Sequence, residues 1–138
     1  MKKVFVLASV LSLMFSCSKK TADPAPVATQ SPYALLTAHA WIQSSATVYG
    51  VEILKDCDKD DICTFKTNDT LVYEQGAKNC YGDPNYKYKY TLSADGKTLT
   101  QFDSPSSSSA VTVTKLDENN LVTSSSFGGA VEVITYRK

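Results

Sequence analysis

Tyr86-Lys87-Tyr88-Lys89-Tyr90-Thr91-Leu92, followed by Ser93-Ala94-Asp95-Gly96-Lys97-Thr98-Leu99, decides the fold of this chain. In the first seven residues three tyrosines and a leucine fall on one face, with two lysines and a threonine on the other. A period of two sustained over that length is the pattern of a half-buried strand, because successive side chains of a strand point to opposite faces. Asp95-Gly96 then reads as a tight turn of type I′, whose two central residues both need positive φ. Thr98 to Phe102 is the returning strand.

The same alternation of strand and turn runs outward in both directions. Downstream, Ala110 to Leu116 and Leu121 to Phe127 flank the turn-forming Asp117-Glu118-Asn119-Asn120, and Gly128-Gly129 leads into Ala130 to Arg137. Upstream, Trp41 to Tyr49, Ile62 to Lys66 and Leu71 to Gln75 are rich in Val, Thr, Tyr and Ile, the last two joined by Asn68-Asp69. The total is eight strands. Such short connections make neighbours antiparallel, and no helical period separates the strands, which excludes a parallel βαβ fold. Eight strands in a meander leave two exposed edges unless the first meets the last, so the expected fold is all-β, an eight-stranded antiparallel up-and-down barrel. Ser31-Pro32 before Tyr33-Ala34-Leu35-Leu36 predicts an N-cap, a proline at the first helical position and a short N-terminal helix. The barrel domain is expected over residues 31–138.

The N-terminus reads differently. Lys2 and Lys3 precede an apolar run from Val4 to Phe15 broken only by Ser9 and Ser12, and Ser16 sits just before Cys17. A run of twelve residues is too short to span a bilayer permanently. Leu13-Met14-Phe15-Ser16-Cys17 resembles the lipobox of bacterial lipoproteins. That resemblance implies a signal peptide over 1–16, lipidation at Cys17 with acyl chains such as palmitate, and a tether over 17–30. Two or more chains are needed for stable anchoring, at about 0.8 kcal/mol per buried CH₂. Residues 18–30 contain Pro24, Pro26 and small residues, and thirteen extended residues reach about 45 Å. Ser18, rather than an aspartate, follows the cysteine, which favours the outer membrane of the cell envelope, on its periplasmic or surface face.

Removal of Lys2 and Lys3 takes the 14 basic side chains to 12 against 14 acidic ones, a net charge of −2 with His39 neutral. With Arg137 the only arginine, no cluster of cations exists to grip phosphates, so a nucleic-acid partner is not expected. Setting Cys17 aside leaves Cys57, Cys63 and Cys80. In an oxidising envelope this is one disulfide and one leftover thiol. Cys57 and Cys80 lie among turn-forming residues while Cys63 alternates with Phe65 in a strand, so the expected bridge is Cys57–Cys80 and Cys63 is a buried, inert thiol. A zinc site is the sharper rival, but no C-x-x-C occurs and His39 is distant in sequence.

Several stretches are similar to the lipocalin-like domain family of small bacterial envelope lipoproteins. They are Leu35-Leu36-Thr37 with Trp41 opening the first strand, Asp56-Cys57-Asp58-Lys59-Asp60-Asp61 leading into Cys63-Thr64-Phe65, Cys80 before the tyrosine strand, and Leu92 to Leu99. The resemblance covers residues 33–138. His39-Ala40-Trp41 stands where larger lipocalins have Gly-x-Trp. The resemblance implies the same Cys57–Cys80 bridge and a barrel-closing contact in which Arg137, on the last strand, packs over Trp41; the alternative is a solvated terminal arginine.

The acidic segment places carboxylates at positions one, three and five of a calcium-type loop. Position six is Asp61 rather than glycine and position twelve is Thr67 rather than glutamate. An acidic turn whose Asp side chains bind nearby backbone is the simpler expectation, and no metal or other cofactor is expected. Ser106 to Ser109 supply hydroxyls without a neighbouring base, and no nucleophile elbow, zincin, P-loop or dinucleotide fingerprint appears, so no catalytic residue is expected. Tyr86, Tyr88 and Tyr90, joined by Tyr73 and Phe65, are the candidate barrel lining. Inward-facing, they either fill an interior that eight strands leave barely wide enough for side chains, which is the favoured expectation, or line a cavity for a small hydrophobic ligand. The functional expectation is a non-enzymatic, membrane-anchored carrier; the alternative is a surface module with a filled barrel that binds a protein or glycan.

Overall fold

A computed structural model describes residues 30–138 apart from 79, 81 and 83. The expected signal segment, the Cys17 lipidation site and the tether up to residue 29 lie outside the described residues.

The described chain starts with a plug. Ser31 caps helix α1 (Pro32–Thr37), its side chain accepting from the Ala34 N–H at 3.2 Å, and Pro32 occupies the first turn where its missing N–H costs nothing. Six residues are too few for an independent helix, so its stability comes from docking. Leu36 is fully buried, and its carbonyl accepts the indole N–H of Trp41 at 2.9 Å, which satisfies the one polar atom of a fully buried ring. The Tyr33 hydroxyl lies 3.0 Å from both the Thr67 carbonyl and the Asp69 carboxylate, pinning the helix to the far end of another hairpin.

From there the chain is β1 (Ala40–Val48), β2 (Val51–Glu52), β3 (Ile62–Lys66), β4 (Thr70–Glu74), β5 (Tyr86–Leu92), β6 (Thr98–Ser104), β7 (Ser107–Leu116), β8 (Asn120–Phe127) and β9 (Ala130–Arg137). From β3 to β9 each strand pairs antiparallel with the next, and β1 pairs with β3 through Ala40–Ile42. On its other edge β1 pairs with β9, from Ile42 opposite Arg137 to Val48 opposite Glu132. The sheet therefore closes into an eight-stranded antiparallel barrel in nearly up-and-down order. Register shifts at Gln43/Ser45, Phe102/Ser104 and Val113/Lys115 are bulges, which add the bend and twist that closure needs.

Three local features depart from the expected pattern. Tyr49 and Gly50, at φ 52° and 77°, turn the chain back so that β2 lies along the end of β1, an extra two-residue strand outside the eight staves. The β6–β7 hairpin is longer than the sequence pattern suggests, running to Ser104 and resuming at Ser107 around Pro105-Ser106. Serines carry no hydrophobic alternation, so the register of the flanking pairs extends the ladder through them. The β5–β6 turn is not of type I′, because only Gly96 takes positive φ (71°). The Gly96 N–H donates to the Ser93 carbonyl at 2.8 Å, the hydrogen bond of a type I turn, with Gly96 as the left-handed residue behind it. Ser93 Oγ accepts from the N–H groups of Lys97 and Thr98 and donates to Asp95, a local network that competes with the mirror-image turn.

The packed core gathers at the plugged end, where Leu36 and Trp41 meet Cys63, Phe65, Leu71, Tyr90, Leu99, Val113 and Leu121. Gly96 contributes to it from outside, since a Cβ there would overlap the Pro32 ring in addition to carrying the strained φ. Gly96→Ala is therefore expected to lower stability by about 1–3 kcal/mol, whereas Gly128→Ala, at φ 58° in open space, should cost about 1 kcal/mol or less. Paired denaturant unfolding curves measure the difference, and equal losses would remove the helix contact from the explanation.

Candidate ligand cavity

The inward faces of β3 to β9 bring together what the chain separates. Tyr73 stands opposite Tyr86, Leu71 opposite Tyr88, and Cys63 and Phe65 opposite Tyr73 and Leu71. On the other wall Leu99 and Gln101 face Val111 and Ser109, and Thr123 and Leu121 face Ile134 and Tyr136. These side chains enclose a cavity of about 440 Å³, room for a small molecule inside a barrel of this size. Of the two expectations for the rings, a filled interior and a lined cavity, this space agrees with the second. The rings pack solidly only at the helix end, and the narrow bore that argued for filling holds there alone.

The tyrosine ladder records the gradient. Tyr90 is buried, stacked against Tyr33 and edge-on to Phe65 with ring centres 5.1 Å apart, and its hydroxyl donates to the Lys66 carbonyl. Tyr88 and Tyr86 are half-buried, stacked on each other with centres 6.0 Å apart. Their exposure follows from pairing: β5 bonds to β6 only over Lys89–Leu92, so the β6 side of Tyr86–Tyr88 has no ladder partner strand. A second depression of about 500 Å³ lies on the outside there, lined by Lys87, Lys89, Phe102 and Pro105, and Tyr88 borders both.

The far end of the barrel is held by a clasp built from the acidic segment. The Cys57–Cys80 disulfide, Cα atoms 5.4 Å apart, ties the segment between β2 and β3 to the loop between β4 and β5. Asp61, almost wholly buried, accepts from the Tyr73 hydroxyl at 2.7 Å and from the Gly76 N–H at 2.8 Å. Asp60 accepts from the Lys78 N–H at 3.2 Å, and a Cβ on Gly76 would overlap the Asp60 carboxylate. The carboxylates thus serve the backbone of the neighbouring loop, the role expected of an acidic turn. Cys57, Asp58 and Cys80 come close enough together to suggest metal ligation, but both sulfurs are consumed in the disulfide.

Burial raises several acids in the wall. It pushes the Cys63 thiol up to about 12, and the negative charge of Asp61 adds to the effect. Tyr73 is shifted well above an ordinary phenol, first by burial and then by its bond to Asp61; burial does the same for Tyr136, and for Tyr90 together with its bond to Tyr33. A thiol whose folded value lies above its unfolded 9.0 adds stability that is complete below about pH 9 and is lost as pH rises towards 12. His39 is displaced the other way, lowered by burial and by Lys138.

All five residues expected on the lining, Phe65, Tyr73, Tyr86, Tyr88 and Tyr90, border the cavity. The expected bridge is present as well: Cys57 and Cys80 are joined, and among the described residues Cys63 is free and buried. Arg137 is placed differently from the expected cap over Trp41. It is exposed and sits opposite Ile42, on the outer face, while the indole of the preceding residue points inward. The ring beside the indole is His39, with centres 4.4 Å apart. Asp61, Gln75, Gln101, Ser109, Thr123 and Tyr136 are wall residues that the sequence pattern did not single out. Tyr136 was recoverable from alternation in the last strand; the others carry no apolar signal. No protein-family model and no curated protein matches this chain. The closed antiparallel barrel with its plugged end is consistent with a lipocalin-like fold in general.

Two measurements test the clasp and the wall. Replacing Cys57 and Cys80 together by serine should cost about 3 kcal/mol in denaturant unfolding and speed amide exchange at Gly76 and Lys78, whose N–H groups the clasp holds. Cys63 should resist iodoacetamide at pH 8 until the protein is unfolded, as read by peptide mapping, and Cys63→Val should flatten part of the stability loss above pH 9.

Proposed function

We propose that this protein is a non-enzymatic envelope lipoprotein, anchored to the outer membrane through acyl chains on Cys17, whose lipocalin-like barrel carries a small hydrophobic molecule. The observation that carries the reading is the cavity of about 440 Å³ walled by the tyrosine ladder. A wall of aromatic faces and aliphatic side chains with a few hydroxyls is the composition of a site for an apolar ligand with limited polar contact. The anchor rests on the Lys2-Lys3, apolar, Ser16-Cys17 sequence. The tether between Cys17 and the helix is long enough, at about 45 Å extended, to hold a folded barrel clear of a bilayer.

One observation supports a different occupant, a protein or glycan on the outer surface. Tyr49, Val51, Ile53, Phe127 and Val131 are exposed near the β1–β2 and β8–β9 turns, Phe127 at 90 %. The Tyr49 N–H bonds to the Val131 carbonyl, which brings the two turns side by side. Exposed apolar side chains grouped in this way suit a contact surface. The internal volume argues for the carrier first.

Organic extraction of protein purified from its native membrane, followed by mass spectrometry, tests the carrier reading. A stoichiometric small molecule is expected, and it should be lost in Val111→Trp, which places an indole in the cavity while circular dichroism stays native. Protein that yields no such molecule and keeps partner binding in Val111→Trp would favour the surface reading. Mass analysis of the mature N-terminus should find a diacylated or triacylated Cys17.

A further inference from the structure

The charges in the cavity wall say more than its size. Among the described residues that line it there are two carboxylates, Asp58 and Asp61, and no lysine, arginine or histidine. The nearest lysines in sequence to the ladder, Lys87 and Lys89, alternate with the tyrosines and so lie on the opposite face of β5. A carboxylate ligand drawn into this space would meet two like charges and no counter-ion, in surroundings where an unpaired buried charge is expensive.

Two further features point the same way. The Oε1 atom of Gln75 is buried at the wall and has no hydrogen-bond partner, so an acceptor waits there for a donor. Asp61 spends two of its roughly four acceptor positions on Tyr73 and Gly76, leaving capacity for another donor.

Resting on the carrier reading above, we propose that the cavity selects apolar molecules whose polar end donates hydrogen bonds, lipophilic amines above all, and rejects carboxylate amphiphiles such as fatty acids. The alkyl or aryl part lies among Phe65, Leu71, Leu99 and Leu121 towards the plugged end. The donor group lies at Asp58, Asp61 and Gln75 towards the clasp.

Decylamine, decanol and decanoate, which share a chain and differ in the head, separate the possibilities when each is dialysed at pH 7.5 against the purified full chain. Decylamine should bind most tightly, decanol next, and decanoate at least about tenfold more weakly than the amine. Asp58→Asn should reduce the amine's affinity and raise that of decanoate, with decanol unchanged. Asp61→Asn should act in the same sense, but Asp61 also holds Gly76 in place, so Asp58→Asn is the decisive variant. Decanoate binding as tightly as decylamine, or amine binding indifferent to Asp58→Asn, would overturn this selectivity while leaving a carrier. Binding of none of the three would overturn it together with the carrier reading.

Discussion

The pairing of β1 with β9 is what makes this sheet a barrel. A meander of antiparallel strands satisfies its internal backbone groups locally, but its first and last strands each leave a row of N–H and C=O groups without partners. Here Ile42–Val48 and Glu132–Arg137, from the first and last strands, complete each other. Closure turns a sheet with two faces into a wall with an inside and an outside. Once it is made, every alternating side chain is assigned to one or the other, and a space is enclosed whose size follows from strand number.

An enclosed space still has two ends, and the chain treats them differently. At one end the short helix lays Leu36 and the Trp41 indole over the bore, with the indole N–H consumed by the helix's own last turn. At the other end no helix intervenes among the described residues. The acidic segment and the β4–β5 loop are bound to each other by a disulfide, two carboxylates and a glycine that only a hydrogen atom fits. The first arrangement is a hydrophobic seal and the second a polar clasp. Between them the tyrosines pass from full burial to half burial along a single strand, so the cavity is continuous with the clasp end and shut at the helix end. The position of Asp61 belongs to both: it ties the loop down and presents a carboxylate to the interior.

Much of this was legible in residue order because strands write their burial with a period of two and turns announce themselves in Gly, Asn, Asp and Pro. Tyr86-Lys-Tyr-Lys-Tyr, the capped Ser31-Pro32 helix and the Cys57–Cys80 bridge between turn-forming segments each have a local physical cause, and each appears in the structure as read. The features that escaped were those decided by a partner far away in sequence. The β2 strand is two residues long and exists because β1 offers an edge there. The serine-rich start of β7 is a strand because β6 extends opposite it. The turn at Asp95-Gly96 took a different type because Ser93 supplied side-chain hydrogen bonds to its backbone.

Residue order sufficed for the strand pattern, the antiparallel meander, the Cys57–Cys80 bridge and the aromatic stripe of β5, since each depends on neighbours within a few residues or on turn signals. Only closure of the barrel left a cavity among the tyrosines, set Arg137 on the exposed face and His39 beside the indole, and buried Asp61 in the wall. The reason is geometric. Whether side chains from opposite walls meet depends on bore, bulges and the register between distant strands, and those emerge only when the first strand finds the last.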